Sequence, residues 1–201
     1  MANQYSWRWV TVVNIGFICE GYTELFILES DSFKSILNSL KLKSVGVINV
    51  MGNGNLLPHN IKIHQENLFE KGASLIFVLT DLDEDHCITK TRLRITESEN
   101  QIIIVAVKQI ESWFLADAST MSLIFKGDYS FENPENEDVP IETIRKIYFD
   151  KFKRGLIGRD EKKKLAKKML SLGFSIQNAA NHPNCPSANY FLTKLKSIAN
   201  N

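Results

Sequence analysis

Two aspartates one residue apart, Asp81-Leu82-Asp83, close the apolar run 74–80, and a glutamate, Glu20, closes an earlier run at 10–19. A further acid, Glu111, follows the run 102–107 by a few residues. Carboxylates brought together repel and raise one another's pKa. A hard divalent cation relieves that repulsion, and Mg²⁺ or Mn²⁺ prefers oxygen ligands. In an extended segment alternate side chains point the same way, so Asp81 and Asp83 are expected to face one cation with Leu82 turned to the core. With a phosphate as further partner, such a site supports metal-assisted phosphodiester chemistry. Asp-x-Asp after a strand also serves as a turn or helix cap, by hydrogen bonding to nearby backbone donors, and that reading stands beside the metal one.

These acids can meet only if the elements carry the ends of separate runs to one rim. The run 10–19 is β-branched and aromatic and reads as a buried strand. Leu25, Leu28, Phe33, Ile36, Leu37 and Leu40 recur at helical spacing, which predicts one amphipathic helix over 23–40. Residues 45–50 read as a second strand closed by Gly52-Asn53-Gly54, and 56–69 as a helix with Pro58 in its first turn. The run 74–80 is the clearest strand, 88–98 a short helix, 102–107 a fourth strand, and 110–117 helical. This alternation suits βαβ crossovers, and continuously apolar strands suit a sheet covered on both faces. The expected class is α/β, with a largely parallel sheet of about four strands flanked by helices. In such sheets ligands collect outside the carboxyl ends of the strands, where Glu20, Asp81, Asp83 and Glu111 are expected to converge.

Residues 1–120 read as this α/β domain and 121–201 as a helical extension packed on the same core. Leu165, Met169 and Leu172 give one helix an apolar stripe, and Tyr190, Leu192, Leu195 and Ile198 predict a terminal helix. The stretch 128–142 holds six acidic residues and no basic one, whereas 145–168 holds eleven Lys/Arg against Asp150, Asp160 and Glu161. A basic flank beside an acidic metal site can hold phosphates; a solvated helical face is the other reading. Arg154, Arg159, Lys163, Lys164 and Lys167 are the candidates for nucleic-acid contact. Lys162, Lys163 and Lys164 cannot all face one ligand, because successive helical positions diverge by about 100°.

With 24 Lys+Arg against 23 Asp+Glu the net charge is +1, which excludes an overall basic nucleic-acid coat and an acidic tail protein. No apolar run approaches the roughly 18 residues of a membrane-spanning helix, and the N-terminus does not read as a signal peptide. Cys19, Cys87 and Cys185 are odd in number and form no C-x-x-C, so reduced thiols and a cytoplasmic setting are expected. His86-Cys87 and His182-Pro183-Asn184-Cys185 supply zinc-type ligands without the spacing of a zinc motif. Gly52-Asn53-Gly54 lacks the third glycine of a phosphate loop and reads as a turn. Trp7 and Trp9, flanking Arg8, suit either base stacking or a sheet edge.

Ile18-Cys19-Glu20-Gly21-Tyr22-Thr23-Glu24, followed some sixty residues on by a strand ending in Asp81-Leu82-Asp83, resembles the TOPRIM domain. That is the metal-dependent domain of topoisomerases, bacterial primases and OLD-family nucleases. The first motif and the later Glu111-Ser112-Trp113 are closer still to small stand-alone TOPRIM-like proteins of restriction and phage-defence loci. The likeness spans about residues 12–117. It implies Glu20 as a metal ligand or general acid/base, Asp81 and Asp83 as ligands of Mg²⁺ or Mn²⁺, and Glu24 and Glu111 as further acids for a second ion. It also implies a lysine near the scissile phosphate, for which Lys108 and Lys164 are candidates. The implied function is a metal-dependent nuclease on DNA or RNA, the effector of a phage-defence system. No Walker P-loop is present, so an ATPase partner would be a separate chain, and a homo-oligomer is compatible with the class. The alternatives are a non-catalytic TOPRIM-like module binding nucleotide or protein partners, and a phosphohydrolase of small nucleotides.

Overall fold

The frame is four parallel strands, β1 (Val13–Cys19), β2 (Leu42–Asn49), β3 (Leu75–Asp81) and β4 (Gln101–Ala106), in the order β2-β1-β3-β4. The structure, a computed structural model, describes residues 12–96, 98–156 and 160–199. Trp7, Trp9 and Arg159 therefore lie outside the described residues. Ten α-helices accompany the sheet among the described residues: α1 (Tyr22–Glu29), α2 (Asp31–Ser39), α3 (Pro58–Glu70), α4 (Ile88–Ile95), α5 (Glu111–Ala116), α6 (Ala118–Phe125), α7 (Pro140–Phe152), α8 (Glu161–Ser171), α9 (Ile176–Ala180) and α10 (Pro186–Ala199).

Successive strand residues enter opposite layers, as the pleat requires. Ile15, Phe17 and Cys19 of β1, Leu75, Phe77 and Leu79 of β3, and Ile104 and Ala106 of β4 join one apolar cluster with the N-terminal pair of helices and the C-terminal helices. Ile18, Ile76, Val78, Ile103 and Val105 join a second cluster with Ile61 and Leu68 of α3 and Ile95 of α4. Helix α3 approaches β1 closely enough that a Cβ on Gly16 would lie 2.9 Å from Leu68 Cδ1, so a side chain there would require Leu68 to shift. The first cluster carries the centre of the molecule. Phe191 of α10 sits 5.7 Å from the Phe33 ring, 5.8 Å from Phe77 and 6.2 Å from Trp113, centroid to centroid. A single apolar cluster thus runs from the sheet through Leu165 and Met169 of α8 to Phe191, Leu192 and Leu195 of α10.

The helix expected over 23–40 is two helices. Ser30 breaks it: its hydroxyl donates to Ile27 O at 2.6 Å and accepts from Phe33 N at 3.2 Å, closing α1 and capping α2 at once. Pro58 opens α3 from its first turn, where a missing N–H costs nothing. No helix among the described residues is long and apolar enough to cross a membrane.

Candidate functional site

β1 crosses over to β2 on one side while β3 and β4 lie on the other, so the sheet's switch point falls between β1 and β3. A cleft of about 350 Å³ opens there, lined among others by Glu20, Glu24, Asp81, Glu111, Lys162 and Tyr22. Asp81 is the last residue of β3, and its Oδ1 accepts from the Ile110 N–H at 2.7 Å. Glu20 follows β1; its Oε2 accepts from the Thr80 hydroxyl at 2.7 Å and the Asp81 N–H at 3.4 Å. Glu24 lies in the first turn of α1, with its Oε2 3.1 Å from where a Cβ on Gly21 would stand, so the glycine leaves room for the carboxylate to fold back. Glu111 is fully buried at the start of α5; Oε1 accepts from the Thr23 hydroxyl at 3.3 Å and Oε2 from Lys162 Nζ at 3.1 Å.

Burial and crowding set the electrostatics. Burial, reinforced by the charges of Glu111 and Glu20, pushes Glu24 up to about 8 despite a bond from its own N–H. Asp81 is raised well above the carboxylate range by burial, then by the charges of Glu24, Glu111 and Glu20. Glu20 is raised by burial and by Asp83, with the Thr80 bond opposing. Lys162 pays desolvation for its burial, yet is raised overall because the charge and hydrogen bond of Glu111 favour its ammonium form.

Of the acids expected to converge, Glu20, Glu24, Asp81 and Glu111 share the cleft and Asp83 does not. The strand ends at Asp81, and Asp83 takes a left-handed backbone (φ 47°), so the alternation that would align the two aspartates stops between them. Leu82 does turn into the core. Asp83 instead accepts from Asn53 Nδ2 at 3.4 Å and lines a neighbouring cleft of about 660 Å³ with Glu84, Asp85, Lys90 and Arg94. Its charge still reaches Glu20 across the rim.

The basic candidates divide between the cleft's edge, where Lys163 and Lys167 lie along α8, and the surface. Lys163 Nζ lies 3.8 Å from the Tyr22 ring centroid and Lys167 Nζ 4.8 Å from that of Phe26. Lys164 is exposed on α8, and Arg154 is exposed beyond the end of α7, over the Phe152 ring. Lys108 pairs with Asp138 rather than entering the cleft. Two lysines line the cleft: Lys163, one of the expected contacts, and Lys162, which was not among them. Its signal was there: Leu165, Ala166 and Met169 are the buried stripe of α8, and Lys162 extends that stripe at i−3, i−4 and i−7.

The zinc-type residues have other roles. His182 bonds Phe131 O at 2.9 Å and accepts from Asn184 N at 3.1 Å, Cys185 is buried, and His86 and Cys87 are exposed. Gly52 has φ 129° and donates to Glu20 O at 2.9 Å, a turn that supports the site wall. Among the described residues no three His, Cys, Asp or Glu side chains are arranged around a common metal position. The donor chemistry nonetheless fits a hard divalent cation: four carboxylates line one cleft with Lys162 and Lys163, and burial together with neighbouring carboxylate charge raises Glu20, Glu24 and Asp81.

No protein-family model and no curated protein matches the chain. Among solved structures it is similar to the C-terminal region of the OLD protein of Xanthomonas campestris pv. campestris, at 15% identity and a TM-score of 0.42, over 92% of this chain and 95% of that one.

Proposed function

We propose that the chain is a Mg²⁺- or Mn²⁺-dependent nuclease that hydrolyses phosphodiester bonds of DNA or RNA. The observation that carries this is the meeting of Glu20, Glu24, Asp81 and Glu111 with Lys162 in one cleft at the sheet's switch point. An ion there would draw its ligands from among Glu20, Glu24, Asp81 and Glu111 by side-chain movement that brings them round one position, with Asp83 contributing charge from the neighbouring cleft. When bound, the ion supplies Lewis-acid polarisation of the phosphoryl group and offsets its negative charge. In the hydrolysis a water oxygen bonds to phosphorus, the P–O ester bond breaks, and the leaving oxygen takes a proton from solvent water. Thr80 and the Asp81 N–H hold Oε2 of Glu20, fixing the carboxylate that accepts the water proton. Lys162 Nζ, at the end of a stem anchored on Glu111, offers its charge to a phosphate oxygen. The resemblance of the Glu20-Gly21 and Asp81-x-Asp83 motifs supports placing such an enzyme in a phage-defence locus, beside a separately encoded ATPase.

A second reading is a non-catalytic module that binds nucleotide or protein partners. It is favoured by the engagement of Glu20, Asp81 and Glu111 by protein donors. Cleavage of plasmid and single-stranded substrates with Mg²⁺, Mn²⁺ or EDTA, wild type beside Asp81→Asn, separates the two. Metal-dependent cutting lost in the variant supports the nuclease. Absence of cutting together with absence of Mn²⁺ binding by the wild type supports the module.

A further inference from the structure

Helices α1 and α8 both begin at the cleft and pack against each other. Tyr22 and Phe26 stand one turn apart on α1, with ring centroids 6.0 Å apart. Lys163 and Lys167 stand one turn apart on α8, each with its ammonium over one of those rings, at 3.8 and 4.8 Å from the centroids. The first rung, Tyr22 with Lys163, lines the cleft; the second lies beyond it. Both rings are half-buried, and Lys167 is exposed. An ammonium on a flexible stem lies over one face of each ring, while Phe26 also packs against the apolar core.

We propose that this seam is a binding track for single-stranded nucleic acid leading into the cleft, with Tyr22 and Phe26 as stacking platforms for successive bases. The proposal rests on the nucleic-acid reading of the cleft and adds the strand type. A lysine ammonium over an aromatic ring in a solvated setting is held weakly, whereas a base stacked on that ring is held more firmly. An incoming base displaces the ammonium, and the ammonium, still tethered one stem-length away, meets the backbone phosphate of the same nucleotide. Each rung thus supplies both halves of single-strand recognition, a ring for the base and a cation for the phosphate. A duplex offers its phosphates to the lysines but keeps its base faces stacked inside, so it gains nothing from Tyr22 and Phe26.

The test is equilibrium binding of fluorescent oligothymidylate, oligouridylate and a duplex of equal length to the full chain in EDTA, across a salt series. Single strands are expected to bind more tightly than the duplex. Tyr22→Leu should weaken single-strand binding about tenfold, Phe26→Leu somewhat less, and Tyr22→Phe should keep it. Lys163→Gln and Lys167→Gln should each lower the salt slope by about one unit. Equal or tighter duplex binding, no binding of single strands, or a Tyr22→Leu protein that binds like wild type while Tyr22→Phe confirms a folded site would each overturn the track. Mn²⁺ calorimetry on the wild type keeps the two proposals apart. Metal binding without Tyr22-dependent strand binding removes the track and leaves the metal centre. Tyr22-dependent strand binding without metal binding removes the nuclease and leaves the track.

Discussion

Two clefts open side by side on the same rim, and the pair Asp81 and Asp83 divides between them. On the Asp81 side Glu24, Asp81 and Glu111 are buried and Glu20 half-buried beside Lys162, and burial with neighbouring carboxylate charge raises Glu20, Glu24 and Asp81. On the Asp83 side two of the acids, Asp85 and Asp138, are each answered by cations. Asp85 accepts from the Thr91 hydroxyl at 3.0 Å and meets Arg94 and Lys90, which together hold it below its usual value. Asp138, bonded by Lys108, is likewise lowered. The same residue types on one edge therefore acquire opposite electrostatics. Water and a private cation make a carboxylate a surface ion; burial among like charges makes it a group that gains from an added cation.

The largest expected effect separates the clefts outright. Glu20→Gln or Asp81→Asn should lower metal-dependent cleavage by at least about 100-fold, whereas Asp85→Asn should stay within about twofold of wild type. Comparable losses from both sides, read in a plasmid nicking assay, would break the distinction.

Removing the cation from each side is the next contrast. Lys162→Met leaves the fully buried Glu111 without its ammonium and should cost about 1–3 kcal/mol in urea unfolding, with part of the loss recovered on adding Mn²⁺. Lys108→Gln removes the partner of an exposed acid, Asp138, and should leave the unfolding midpoint where it was.

The pH responses should also oppose each other. Glu24, held at about 8 against a usual 4.5, binds a proton in the folded chain that the unfolded chain has released. The metal-free protein should therefore lose stability as pH rises between those values, and Mn²⁺ should raise Tm more at the upper end than at the lower. Asp85 acts in reverse: lowered from 3.8, it contributes stability above that value that disappears as pH falls below it. A Tm that rises steadily through the neutral range without metal would contradict the crowded-carboxylate account. The smallest expected effect lies at the boundary. Asp83→Asn removes a charge that raises Glu20 and should lower the Glu20 titration midpoint slightly, measured by carboxyl NMR in the metal-free chain.

The strands and most of the rim were legible in the amino-acid order because their signals are local. Continuous apolar runs at βα intervals report a parallel sheet covered on both faces, and an acid at the end of such a run stands where that sheet opens. Thus Glu20, Asp81 and Glu111 could be placed on one edge from spacing and topology, and Glu24 was added by the motif resemblance. The break at Ser30 had a local signal too, a cap residue before Asp31-Ser32, but the apolar spacing on either side of it reads continuously as helix.

Tertiary structure decided what depends on distant partners. A left-handed turn at Asp83, whose N–H reaches Lys108 O at 2.9 Å, sends that aspartate to the second cleft, and no residue type in Asp81-Leu82-Asp83 encodes it. Which of three consecutive lysines answers the buried acids was settled by the docking of α8, which brings Lys162 to Glu111 across 51 positions of chain. Phe191 became the hub of the aromatic core in the same way, by where α10 lands against the sheet. Periodicity records which face of an element is apolar; which face meets which is set by packing over the whole chain, and the cleft's chemistry lies at those meetings.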